Sequence, residues 1–430
     1  MSSPVSTAGW TDGDGAFEGI AAGARVVVGN ACGTPLTLLD ALAAHARRAG
    51  PIEITAGILI GDIDRVVDAV RSGALRLRLW HVFGPLRALS REGLVDYLPI
   101  RLFDLPETVL DHADVALIRV GPPDEDGRCA LGPSTTFAET AAERVPLVIA
   151  EVDDGIPRTH GDSTIHVSRI HRLVRAETGM PEFASAPPGR NALGVARHVA
   201  RIIPDGATLQ LGIGAIGEAV AGVLQESAAS RSLRMLGLVT DAMLPLVEAI
   251  VDAGNGPVPV LELIGTSALM SFAHDNPGIV MRSSRMLHNP VELARVPRLV
   301  SVNSAIAVDL HGQVVAESVD GDVIAAVGGS ADFAEGAHLS DGGLRIVAMT
   351  SVTRRGASTV VAAHDSADTI TAAHHSVDAV VTEHGVAWLR GRTRGQRAEA
   401  LISIAAPEHR AALAASRGAI RSHGTEGRRG

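Results

Sequence analysis

Residues 206–224 read GATLQLGIGAIGEAVAGVL: an apolar β-type run, a glycine-rich turn, then an Ala/Val-rich helical stretch. Residues 23–42, GARVVVGNACGTPLTLLDAL, repeat that order, with GARVVVG as the strand, a glycine-containing loop, and PLTLLDAL as the helix. Each copy opens a half of roughly 200 residues, an ordinary domain size. Strand, tight turn and helix N-terminus in succession predict an α/β unit, and two copies predict two similar units.

The flanking sequence agrees. Apolar, β-branched runs at 113–120 (ADVALIRV), 146–152 (PLVIAEV) and 344–349 (LRIVAM) alternate with helical stretches, the pattern of an α/β protein with mostly parallel sheets. The segment 184–190, ASAPPGR, has linker composition. It places the boundary near residue 187, giving an N-terminal domain at 1–187 and a C-terminal domain at 188–416. Residues 417–430 lose periodicity and are expected to form a disordered tail.

Composition narrows the chemistry. With 46% hydrophobic and 20% charged residues the 430-residue chain has a globular balance, and a net charge of −10 argues against a broad nucleic-acid surface. There is no lysine: all 38 basic residues are arginine. Schiff-base catalysis, anchoring of pyridoxal phosphate and a Walker lysine are excluded, because each needs an ε-amine. The two cysteines, Cys32 and Cys129, have no metal-site spacing and form no disulfide framework, which fits a reducing, cytoplasmic compartment. No stretch reaches about 18 uncharged apolar residues, so no membrane span is expected. HExxH, CxxC and GxSxG motifs are all missing.

Several segments could carry a site. GIGAIG at 212–217 follows a strand and opens a helix, with Asp241 about twenty residues on, the context of a dinucleotide fingerprint. The same turn can hold an oxyanion or a thioester carbonyl on backbone amides, or can simply be a tight connection. The acidic loop at 122–132 reads as a solvated turn rather than a metal site. PRTHGD at 157–162 offers Arg158 and His160, with Asp162 placed to orient the imidazole for acid/base work. AVGGSADF at 326–333 allows backbone-first approach to a ligand, and TEHGVAWLRG at 382–391 puts Glu383 and His384 at a strand end.

In order and spacing, these segments resemble the acetyl-CoA hydrolase/transferase family, which includes 4-hydroxybutyrate and succinate CoA-transferases. The likeness spans about residues 20–412 and adds NSAIAVDLHGQV at 303–314. It implies two similar CoA-transferase-type (NagB/RpiA-like) α/β domains, a site in the cleft between them, an acyl-CoA substrate with a small-molecule acceptor, no permanently bound cofactor or metal, and a homodimer. It also implies that Gly212, Ile213 and Gly214 face a thioester rather than a nicotinamide, with Gly328, Gly329, Ser330 and Asp332 opposite. Arg354 or Arg355 would meet the coenzyme A phosphates.

The family mechanism runs through a glutamate in an H-[ST]-E-[ML] segment shortly before S-D-G. Here 234–242 reads RMLGLVTDA. Anchoring on Asp241 puts Gly237 at the glutamate position, and no carboxylate lies between Glu226 and Asp241. The family's S-G-V-G-G-Q is AAVGGS at 325–330, and its T-E-Y-G tyrosine is His384. The expectation is acyl transfer from the thioester directly to an amine, alcohol or carbon nucleophile, with His160, His384 and Glu383 as candidate bases. The alternatives are ordinary CoA transfer or hydrolysis using Glu218 or Asp241, a silent CoA-binding subunit and, more remotely, a nicotinamide-dependent dehydrogenase.

Overall fold

In the computed structural model, which describes residues 9–426 and side chains through 416, two large sheets carry the chain. The first has eight strands, in the order Gly9–Trp10, Arg172–Arg175, Leu147–Val152, Val115–Val120, Arg25–Val28, Ile52–Ala56, Leu75–Leu79 and Val95–Tyr97. Every neighbouring pair in it is parallel. The second has nine strands: Gly385–Trp388, Ala379–Thr382, Leu344–Ala348, Leu299–Ser304, Thr208–Leu211, Arg234–Thr240, Val258–Ile264, Ile279–Met281 and His160–Gly161. It is parallel apart from the hairpin formed by its first two strands.

The sequence repeat is also a topological one. Arg25–Val28 lies between the strand that follows it, Ile52–Ala56, and a later one, Val115–Val120. Thr208–Leu211 lies in the same way between Arg234–Thr240 and Leu299–Ser304. Strand order therefore reverses at both repeats, and the crevice beyond the carboxyl ends at such a point is where open α/β sheets bind ligands.

Local sequence explains the elements. In the helix Leu36–Ala49, Leu38, Leu39, Leu42, Ala43 and Ala46 are buried, a stripe at helical spacing that packs on the sheet. The helix Ala215–Leu224 starts from Gly214, whose φ of +112° an L side chain rarely adopts.

The halves are not cleanly separate. Residues 184–189 form no helix or strand and the next helix starts at Arg190, yet His160–Gly161 pairs with Val280 and Met281 at the edge of the second sheet. Ala31, Cys32, Ile58 and Ile60 of the first half pack into the core of the second. The last helix, Pro407–Glu426, runs through most of the expected tail, whose side chains and final four residues lie outside the described part. Among the described residues, no helix is long and apolar enough to cross a membrane.

Candidate active site

A cavity of about 250 Å³ lies between the halves. The first half contributes Asn30, Ile58, Trp80, His81 and Leu102; the second contributes Gly212–Ile213, Gly237–Leu238, Leu261–Glu262 and Gly328–Ser330. Its walls are mainly apolar, with a few polar groups pointing chemistry at one place, the usual make-up of a small-molecule site.

The glycines of GIGAIG have different physical jobs. A Cβ on Gly217 would stand 2.0 Å from the carbonyl oxygen of Gly212, so only glycine lets the helix come this close to the turn. Gly212 donates its N–H to the Val302 carbonyl at 3.0 Å, locking the turn to the central strands. Gly329 answers to a side chain: its Cβ would lie 2.2 Å from Cε1 of His288. The loop carrying it is tied to the first half. Leu102 donates to the Gly328 carbonyl at 3.2 Å, and Val327 N–H donates to the Tyr97 hydroxyl at 3.3 Å.

Gly237 sits within the strand Arg234–Thr240 at φ +118°, where pairing with Val258–Ile264 slips between Gly237 and Leu238. Directly across the slip, Leu238 pairs with Glu262. Glu262 is 4% exposed and lines the cavity. Its Oε1 accepts from Asn30 Nδ2 at 3.1 Å, Ser134 Oγ at 2.9 Å and the Thr136 hydroxyl, all from the first half. Its Oε2 has no partner among the described residues. Residues 133–136 are held in place by the strand itself, with Thr135 N–H donating to Leu261 at 3.2 Å and Leu263 N–H to Pro133 at 2.8 Å. Burial pushes the carboxyl of Glu262 up to about 7, against the three hydrogen bonds that favour its charged form.

Two imidazoles also line the cavity. Burial, helped by Arg87, pushes His81 down to about 4, leaving it neutral at pH 7. His288, 2% exposed, places Nδ1 3.3 Å from Oδ2 of Asp332. Burial raises the Asp332 carboxyl above its usual range, opposed chiefly by His288. The amides of Gln210 and Asn303 bond reciprocally, at 3.3 and 3.1 Å.

Residues 11–184 match the N-terminal domain model of acetyl-CoA hydrolase/transferase and residues 265–417 its C-terminal domain model. The 4-hydroxybutyrate coenzyme A transferase of Clostridium kluyveri is 36% identical over 403 residues, covering 90% of this chain and 92% of the relative. The chain belongs to the acetyl-CoA hydrolase/transferase family. Butyryl-CoA:acetate CoA-transferase of Anaerostipes caccae is 31% identical over 88% of both chains. The crystal structure of 4-hydroxybutyrate CoA-transferase from Porphyromonas gingivalis superposes with a TM-score of 0.77 at 28% identity, covering 96% of this chain and 97% of that one. RipA from Yersinia pestis shares the fold, with a TM-score of 0.88 at 24% identity and the same coverage. Two similar, mostly parallel α/β domains, expected from the sequence, are thus the family's architecture.

Of the ligand-contacting residues expected for this family, Gly212, Ile213, Gly328, Gly329 and Ser330 line the cavity, as does Gly237. Gly214 caps its helix beside them. Asp332 turns away to His288 and to Phe103 N–H, at 3.2 Å. Arg354 and Arg355 are exposed on a turn.

The candidate bases are elsewhere, and none of them lines the cavity. His160 is exposed at the sheet edge, and Asp162 bonds Arg282 at 3.0 Å rather than orienting the imidazole. His384 is exposed in a hairpin turn. Glu383 accepts from both the N–H and the hydroxyl of Ser351, each at 2.8 Å. The carboxylates weighed as substitutes are occupied too: Glu218 accepts from Ser185 Oγ at 2.6 Å, and Asp241 from Thr266 N–H and Oγ1 at 2.9 and 3.0 Å.

Sequence reasoning missed Glu262, His81 and His288. A signal existed for the first: Glu262 is the one charged residue in VPVLELI, a strand otherwise apolar enough to be buried. A carboxyl in such a strand needs donors. Among the described residues, no cluster of three or more His, Cys, Asp or Glu could hold a metal.

Proposed function

We propose that the protein binds an acyl-coenzyme A with its thioester in the inter-domain cavity and transfers the acyl group directly to an acceptor, without a glutamyl thioester at position 237. The observation that supports this most is the convergence of Gly212–Ile213, Gly328–Ser330 and the side-chain-free Gly237 on one cavity. Closely approached backbone turns polarise a thioester carbonyl, and one such donor is worth roughly 100-fold or more in rate. Holding thioester and acceptor together adds the advantage of proximity. The apolar walls suit the acyl chain. The nucleotide end lies outside a cavity of this size, with Arg354 and Arg355 as its proposed phosphate partners. Water, an alcohol, an amine or a carbon nucleophile would serve as acceptor, in a cytoplasmic homodimer.

Ordinary exchange of CoA between acids is the second reading, favoured by a carboxyl, Glu262, within the same cavity. Incubation with acetyl- or butyryl-CoA and a labelled acid separates the two. Direct transfer releases free thiol in proportion to acceptor, leaves the acid unthioesterified, and gives no CoA adduct after hydroxylamine or borohydride treatment. Label passing into acyl-CoA would overturn it. No thiol release with any acceptor would leave a binding subunit.

A further inference from the structure

The cavity is lined by a carboxyl, Glu262, that the direct-transfer reading leaves without a role. Its three hydrogen bonds all fall on Oε1, leaving Oε2 buried and unpartnered. A buried lone pair without a donor costs free energy, and a proton on a bound acceptor would satisfy this one. The donors come from the first half while Glu262 sits on the second, so the packing of the halves against each other orients it. Gly237, on the adjacent strand at the slip, adds no side chain beside it.

We propose that Glu262 is the general base of acyl transfer, working through Oε2 on the acceptor in the cavity. The inference rests on the acyl-CoA reading above. The acceptor's nucleophilic atom forms a bond to the thioester carbonyl carbon as its proton passes to Oε2. The carbon–sulfur bond then breaks with the electron pair on sulfur, and Glu262 returns the proton to the thiolate. Acyl-CoA and H–X become acyl–X and CoA–SH, and the carboxylate is regenerated.

A carboxyl titrating near neutrality suits this role, since a base works best when its pKa lies near the operating pH. Two of the groups facing it titrate well outside that range. Burial drives the Cys32 thiol up to about 12, and His81 is pushed down to about 4. The charges of Asp241 and Glu182 also act on Cys32, His288 stands beside Asp332, and Arg282, at the end of the next strand, is paired with Asp162.

The test uses the intact protein with acetyl- or butyryl-CoA and the acceptor that releases thiol, alongside a CoA binding titration. In the wild type, kcat/KM rises with pH through a limb near 7. Glu262→Gln is expected to bind CoA within about 3-fold of wild type, lose roughly 100-fold or more in kcat, and lose that limb. Glu262→Asp should keep the limb at reduced rate. Ser134→Ala removes one donor to the charged form, so it should move the limb to higher pH, and it remains informative if Glu262→Gln misfolds. A limb unchanged in either Glu262→Gln or Ser134→Ala overturns the proposal, as does a CoA adduct found on Glu262. If the wild type neither binds CoA nor releases thiol, it is the acyl-CoA reading that falls instead.

Discussion

Gly237→Ala probes whether the strand at this point is built for glycine. The backbone there has φ +118°, outside the regions open to L side chains. Space is not the obstacle: an added Cβ would lie 3.5 Å from Gln210 Cγ and 3.8 Å from Phe333 Cζ, ordinary contacts. The penalty is torsional, about 1–3 kcal/mol for a residue held in such a conformation. Alanine's smaller unfolded-state freedom offsets about 0.4–1 kcal/mol of it. A net loss of about 1–2 kcal/mol lowers Tm by roughly 2–8 °C, at about 2–4 °C per kcal/mol for a unit of this size. Gly222→Ala is the control. It lies inside the helix Ala215–Leu224 with nothing within 4 Å of the new methyl, and should be stabilised by up to about 1 kcal/mol. Differential scanning calorimetry of the two variants against wild type decides. If Gly237→Ala melts as high as Gly222→Ala, the backbone relaxes freely and the reasoning fails.

Gly217→Ala meets backbone rather than open space, 2.0 Å from the Gly212 carbonyl oxygen; it should weaken CoA binding by calorimetric titration as well as lower Tm, whereas wild-type affinity would show that the turn does not touch the ligand. Arg119→Met strips the buried Glu151 and Asp153 of their shared guanidinium, at 2.9 and 2.8 Å, and should cost about 3–5 kcal/mol in urea unfolding; a cost under about 1 kcal/mol contradicts this. Both cysteines are buried, with thiols pushed up to about 12 and 11, so a thiol reagent at pH 8 should label the native protein slowly and two sites promptly once it is unfolded. Glu262 holds its proton to about 7 when folded, against 4.5 as the ordinary value. Its contribution to stability is therefore full below pH 4.5 and lost as pH rises through 7, about 3 kcal/mol at 1.4 kcal/mol per pH unit. Glu262→Gln should gain stability relative to wild type between pH 4.5 and 8; parallel urea midpoints across that range would refute the assignment.

The fold was legible because its decisive signals are local. Strand, glycine turn and helix lie within about twenty residues of one another in both repeats, and each repeat became the centre of a sheet at a reversal of strand order. The glycine loops reached the cavity for the same reason, since φ and close approach are properties of a few consecutive residues. The proposed base was not legible. By sequence, His160 and His384 stand in loops after strands, but loop position says nothing of what lies opposite. His160 is drawn to Val280 of the other half, and Glu383 is held by Ser351. Glu262 acquires its character from Asn30, Ser134 and Thr136, separated from it by 232, 128 and 126 residues, and no window on one strand contains that information.

The same limit bears on the glutamate that the family resemblance implies. Counting back from Asp241 along one strand finds a position without a side chain, and such a count takes no account of the strand beside it. At the slip, Leu238 pairs with Glu262, so the neighbouring strand's carboxyl stands alongside. The donors to that carboxyl come only from the first half, while the strand that carries it belongs to the second, so its surroundings exist only where the halves meet. Its titration near neutrality is therefore a property of the two halves packed together, burial raising it and the three donors opposing it, rather than of either strand alone.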